Sequence, residues 1–236
     1  DNPSVALALN GLGQVAWARG DYAAALAHWE QSLALRREIG EPSAIAASLN
    51  NVGNIALVQD RYAAASALLE ESLSIRRAIG DKWGIATSLN SLGVLAMWRG
   101  DYLTARDLYQ ENLAMRREMG ERHGIALSLY NLGCVALAQR EYTSARALCE
   151  ESLALRREMG DKGGIADALS TLGVATLSEV GIEAARPLME ESLRIAGDLD
   201  DKSAKSSALL GIGQLELVEG RPGARDRFLA ALRLGA

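Results

Sequence analysis

The sequence predicts an all-α solenoid of six antiparallel helix pairs. Three observations predict it. The first is a forty-residue period: Gly13, Gly53, Gly93, Gly133, Gly173 and Gly213 are evenly spaced, as are Tyr22, Tyr62, Tyr102 and Tyr142. The second is that each unit carries two apolar stripes at helical spacing with a break between them. The third is composition: 49% of residues are apolar but only 5% are aromatic, so an Ala/Leu core of closely packed helices fits better than a β-sandwich.

The units are residues 1–40, 41–80, 81–120, 121–160, 161–200 and 201–236, and they fit without insertion. In the first, Gly20-Asp21-Tyr22 is the turn between helices and Gly40 suits a left-handed C-cap. In the second, Glu41-Pro42-Ser43 is a helix start, with Pro42 in the first turn. Ala46, Leu49, Val52, Gly53 and Ala56 then share one face. Asp60-Arg61 breaks the helix, and Tyr62, Ala65, Leu69, Ser72 and Leu73 mark the next, ending at Gly80. The small residues Gly53 and Ala56 are expected to let the backbones approach at Ala65. Asp81 is an N-cap for the third unit, whose turn is Gly100-Asp101-Tyr102. The fourth repeats the scheme with Tyr142 and Gly160. In the fifth, Val180-Gly181-Ile182 replaces the turn, and Pro187 is expected to shorten or kink the second helix. The sixth has Arg221-Pro222-Gly223 and a short last helix, expected to be the least stable pair and a makeshift cap.

The run Leu49-Asn50-Asn51-Val52-Gly53-Asn54 followed by Tyr62, Ala65, Leu69 and Leu73 resembles the tetratricopeptide repeat (TPR) signature. Its Leu-Gly pair has counterparts in Leu12-Gly13, Val52-Gly53, Leu92-Gly93, Leu132-Gly133, Leu172-Gly173 and Ile212-Gly213. The common repeat is shorter and often has Pro after its second helix. Here that helix runs through Arg-Arg to Gly, a form similar to the repeats of kinesin light chains and of bacterial signalling ATPases and their associated transcription regulators. The resemblance implies a single right-handed TPR solenoid over residues 1–236 whose first helices line a concave groove. It also implies a parent signalling protein, from which this chain, opening at Asp1, reads as a fragment.

Several functions are disfavoured. With a net charge of −5, the chain repels phosphate backbones, so no direct nucleic-acid partner is expected. No apolar run is long enough to span a bilayer, so no membrane partner is expected. Two cysteines, Cys134 and Cys149, fit a reducing cytoplasm and neither a disulfide framework nor a zinc site. His28 and His123 lie in different phases, and no phosphate loop or nucleophile elbow is present, so neither catalysis nor a cofactor or metal is expected. Cys149 shares its phase with Trp29, Leu69, Tyr109, Met189 and Leu229, which predicts a buried thiol; Cys134 lies in the groove phase.

Once the buried face of a first helix is assigned, a second stripe remains at positions 47, 50, 54 and 57. Across units it holds Asn10, Gln14 and Trp17; Asn50, Asn54 and Leu57; Asn90, Val94 and Met97, with Trp98 beside it; then Tyr130, Cys134 and Leu137. An asparagine amide both donates and accepts, so it matches the unpaired backbone of an extended peptide. In kinesin light chains and similar repeats, groove asparagines do this; the resemblance carries it to Asn10, Asn50 and Asn90, and less closely to Asn54. The other reading is solvated helix residues multiplied by duplication. Asn51 and Asn131, one position along, are expected to bond within the repeat. Trp17, Trp98 and Tyr130 either pack on neighbouring helices or stand exposed with Met97 as apolar contacts. The Arg-Arg and Glu-Glu pairs are expected on a solvated or salt-bridged convex face.

The resulting expectation is a protein-interaction module that binds a peptide or partner segment through Asn10, Gln14, Asn50, Asn54, Asn90, Val94, Met97, Trp98 and Tyr130. Its rivals are self-association and a small-molecule-sensing solenoid.

Overall fold

The computed structural model describes residues 2–199 and 202–235. Among them are twelve helices and no strand: α1 (Asn2–Ala18), α2 (Tyr22–Ile39), α3 (Pro42–Val58), α4 (Tyr62–Ile79), α5 (Lys82–Trp98), α6 (Tyr102–Met119), α7 (Arg122–Ala138), α8 (Tyr142–Met159), α9 (Lys162–Glu179), α10 (Ile182–Asp198), α11 (Lys202–Val218) and α12 (Ala224–Gly235). They form the six helix pairs of a solenoid. The chain divides into two compact units, residues 1–115 and 116–236, with the boundary inside α6.

Local chemistry sets the helix ends. Asp21, Asp81, Glu121 and Asp161 each accept a backbone N–H three residues on, at 2.8–3.0 Å, satisfying a donor that the helix leaves open. Gly40, Gly80 and Gly160 close second helices in the left-handed conformation. The turn inside every pair but the fifth also needs a left-handed residue. Gly20 and Gly100 supply it at φ +76° and +73°, but Asp60 and Arg140 take it at +57° and +60°. A side chain there costs roughly 1–2 kcal/mol. Asp60 recovers part of this by accepting the Tyr62 hydroxyl at 2.7 Å. Arg140→Gly is therefore expected to stabilise by about 1 kcal/mol and Asp60→Gly by less, as the shift in urea midpoint would record.

The core of each pair is a contact between the first-helix glycine and a large residue of the second helix. A Cβ on Gly53 would lie 2.9 Å from the Leu69 side chain, on Gly93 2.5 Å from the Tyr109 ring, on Gly133 2.6 Å from Cys149 Sγ, and on Gly173 2.7 Å from Met189 Cγ. The residue that requires Gly53 is thus Leu69, four positions past Ala65. A hydroxyl pins the same pairs together. Ser32, Ser72, Ser152 and Ser192, all buried, donate to the carbonyls of Ala6, Ala46, Ala126 and Ala166 at 2.7–2.8 Å. In α6 the Asn112 amide does this for Ala86 at 2.6 Å.

Three readings are corrected and one, at Pro187, is made specific. First, α12 sits one residue out of phase: Phe228, not Leu229, faces Gly213, and Leu229 is exposed. α12 starts at Ala224, two residues later in the period than the other second helices, while its core residue comes one residue earlier. Ala231 then occupies the serine position, and the bond reverses, with Ser206 donating to the Ala231 carbonyl at 3.1 Å. Second, Pro187 is accommodated near the start of α10, which runs from Ile182 to Asp198, one residue shorter than α2, α4, α6 and α8; its missing N–H removes one bond, toward the carbonyl of Glu183 in the first turn.

Third, the Arg-Arg pairs are divided. The second arginine is solvated and bridges to the next second helix: Arg37–Glu71, Arg77–Glu111, Arg117–Glu151 and Arg157–Glu191 at 2.8–3.1 Å. The first is buried: Arg36, Arg76, Arg116 and Arg156 are only 5–8% exposed. Arg36 donates to the Ala44 carbonyl and Ser48, and Arg76 to the Gly84 carbonyl and Ser88, so each ties a second helix to the start of the next unit. Adjacent positions on a helix lie 100° apart, which takes one guanidinium into the junction and the other to water. Fourth, Asn51 bonds across repeats rather than within its own, donating to Asn10 Oδ1 at 3.2 Å.

Candidate functional site

Within residues 1–115, the predicted stripe runs over α1, α3 and α5. Gln14 is exposed, while Asn10, Asn54, Asn90, Val94 and Met97 are half-buried. Asn50 is 4% exposed, so the packing encloses it. Its Nδ2 points to Ser91 Oγ at 3.4 Å, and its Oδ1 has no partner. The Asn51–Asn10 and Asn50–Ser91 contacts follow one rule: a first-helix side chain meets the residue forty-one positions away on the next first helix. The amides therefore serve partly as lateral ties between first helices. Trp17 is half-buried and packs on Tyr22 and Trp29, with ring centroids 5.2 and 5.9 Å apart.

Trp98 is 51% exposed at the C-terminal end of α5. Trp83, near the N-terminal end of the same helix, is 60% exposed. Positions 83, 87, 90, 94, 97 and 98 lie on one helical face. Sequence reasoning missed Trp83. The signal was present, because the stripe extends four residues back from position 87, but Trp83 lies beside the Asp81 cap and reads as part of the helix start.

Tyr130 lies on α7, within residues 116–236. The Arg156 guanidinium lies 5.0 Å from its ring centroid. Its hydroxyl interacts with Thr171 and Cys134, and burial raises its pKa above the usual phenol range. The expected Asn-type position is thus filled in this unit by a packed tyrosine. Burial also raises the pKa of the Cys134 and Cys149 thiols, which disfavours thiolate chemistry at either. Among the described residues, no group of three or more His, Cys, Asp or Glu is placed to hold a metal, and no helix is long and apolar enough to cross a membrane.

Helix pairs with a small residue at each crossing define a helical-repeat protein. The tetratricopeptide repeat family model matches residues 4–78 and 84–158, so the chain belongs to the tetratricopeptide repeat family. No curated protein sequence matches it. Among solved structures, it is similar to the Rap conjugation gene regulator of plasmid pLS20 in complex with the Phr* peptide (TM-score 0.74, 14% identity, covering 95% of this chain and 72% of that one). It is also similar to a signal-transduction ATPase with a tetratricopeptide repeat sensor from Pyrococcus horikoshii (TM-score 0.73, 16% identity, covering 100% and 36%). A third is a putative kinesin light chain from Podospora anserina with nearly identical TPR-like repeats (TM-score 0.66, 18% identity, covering 84% and 97%). The chain thus spans about a third of the Pyrococcus protein.

Proposed function

We propose that this chain is a protein-interaction module that takes an extended segment of a partner protein along the first-helix stripe of residues 1–115. The observation that carries this reading is α5, with two exposed tryptophans, Trp83 and Trp98, at the ends of one face and Asn90, Val94 and Met97 between them. Fifteen residues of helix span about 22 Å, the length of about seven residues of extended chain. Tryptophans at this spacing supply apolar anchors. Asn10, Gln14 and Asn54 extend the polar part of the stripe, with Asn50 as a support beneath it; Tyr130 carries the equivalent position on α7. The Rap regulator's Phr* peptide supports a peptide occupant by analogy of fold. The wider setting, the sensing or docking region of a larger bacterial signalling protein, rests on the similarity to the Pyrococcus ATPase.

The test is a random-peptide display selection on the whole chain. Selected peptides should bind at least about tenfold more weakly to Trp98→Ala, a loss of roughly 1.4 kcal/mol or more, with unchanged helicity. Peptides that bind both forms equally would place recognition elsewhere. A second copy is the rival occupant, favoured by Val5, Leu12 and Val15, which are about half exposed on α1. Light scattering separates the two, because groove binding predicts a monomer.

A further inference from the structure

The residues 1–115 unit also holds a cleft of about 230 Å³ between α4, α5 and the start of α6. It lies on the face of α5 opposite the tryptophan stripe, because positions 92, 95, 96 and 99 are half a helical turn from positions 90, 94, 97 and 98. Leu92, Leu95, Ala96 and Leu108 make the apolar part of its lining. Ser66, Glu70, Arg99, Asp101 and Thr104 make the polar part. Glu70 accepts a hydrogen bond from Ser66 at 2.6 Å. Hydrogen bonds from the Thr104 hydroxyl and backbone N–H hold the Asp101 carboxyl below its usual range, so it stays ionised. The lining therefore holds two carboxylates and one exposed guanidinium and is net negative.

The chain itself shows what fits such a gap. Two and three periods further on, position 66 becomes Arg146 and Arg186, while Glu70 becomes Glu150 and Glu190. Arg146 bridges Glu179 at 3.0 Å and Glu150 at 3.6 Å. Arg186 does the same with Glu219 and with Glu190, the latter at 3.9 Å. Both arginines are mostly covered, with side chains 33% and 26% exposed. The apolar residues persist at these periods, Leu92 and Leu108 corresponding to Leu172 and Leu188. At Ser66 the arginine is missing, but its carboxylate and its apolar bed remain. Arg99 stands where Glu179 stands; being exposed, it has room to extend into water.

We propose that this cleft is a second recognition site, which receives an arginine side chain presented by a partner protein. The methylenes lie on Leu92, Leu95 and Leu108, and the guanidinium meets Glu70 and Asp101. Glu70 supplies between two proteins the contact that Glu150 makes with Arg146 within this one, and Asp101 adds a second carboxylate. It does not depend on the stripe reading.

The test is an NMR titration of the whole ¹⁵N-labelled chain with acetyl-arginine amide, and with acetyl-citrulline amide as the uncharged isostere. Saturable shifts are expected at the amides of Ser66–Glu70 and Leu92–Leu108, with binding at least about tenfold weaker for the citrulline compound and for Glu70→Gln, as loss of a charge-assisted pair implies. Ser66→Arg should fill the cleft from within, abolish the saturable shifts and raise the melting temperature. Trp98→Ala should bind the arginine compound normally. Absence of saturable shifts, equal binding of the citrulline compound, or undiminished binding by Ser66→Arg would each overturn the proposal.

Discussion

Replacing Gly93 by alanine is expected to destabilise the chain by about 2 kcal/mol, against the usual gain from removing a helical glycine. The added Cβ would lie 2.5 Å from the ring of Tyr109, which is 2% exposed and has no room to withdraw. Overpacking of this kind costs roughly 1–3 kcal/mol and exceeds the helix-propensity gain of about 1 kcal/mol. Gly11→Ala is the matched control. It too lies within a helix, but a Cβ there meets nothing within 4 Å. That variant is expected to gain roughly 0.5–1 kcal/mol. Thermal unfolding followed by circular dichroism should move the two midpoints in opposite directions. A rise in both would mean that the glycine phase reflects copying of the repeat rather than a steric need.

The second large effect is expected at Arg76. Its Nη1 donates to the Gly84 carbonyl at 2.5 Å and to Ser88 Oγ at 3.0 Å, tying α4 to the start of α5. Burial disfavours its charged form, with Asp81 opposing that effect. Arg76→Met keeps much of the stem but removes both bonds, and should cost about 2–3 kcal/mol. Arg76→Lys should recover less than half of that, because the ammonium is more strongly hydrated and lacks the planar fork. The Asp81 cap and the same arginine together account for a glycine. A Cβ on Gly84 would lie 2.8 Å from Arg76 Cδ and 2.1 Å from Asp81 Oδ2. In the preceding unit, where Ala44 takes this position, Glu41 makes no side-chain cap. Gly84→Ala and Arg76→Met should therefore be non-additive in a double-mutant cycle of unfolding free energies, with the alanine costing less when the arginine is gone.

The sequence alone determined the helix pairs, their forty-residue period and most of their caps. These depend on interactions within a few residues: an Asp or Glu accepting the N–H three positions on, a glycine taking a left-handed turn, and apolar residues recurring every three or four positions. The helical phase of a candidate stripe on the first helices was legible for the same reason. Its detailed chemistry was not. Whether Asn50 faces a ligand or a neighbouring repeat depends on a residue forty-one positions away, and the structure places it against Ser91. Tertiary packing likewise decided which arginine of each pair enters the junction, because an Arg-Arg dipeptide carries no local mark of its surroundings. It set the one-residue shift of α12, where Phe228 rather than Leu229 fits against Gly213. It also opened the cleft beside Ser66, since a missing side chain becomes a cavity only when helices distant in sequence surround it.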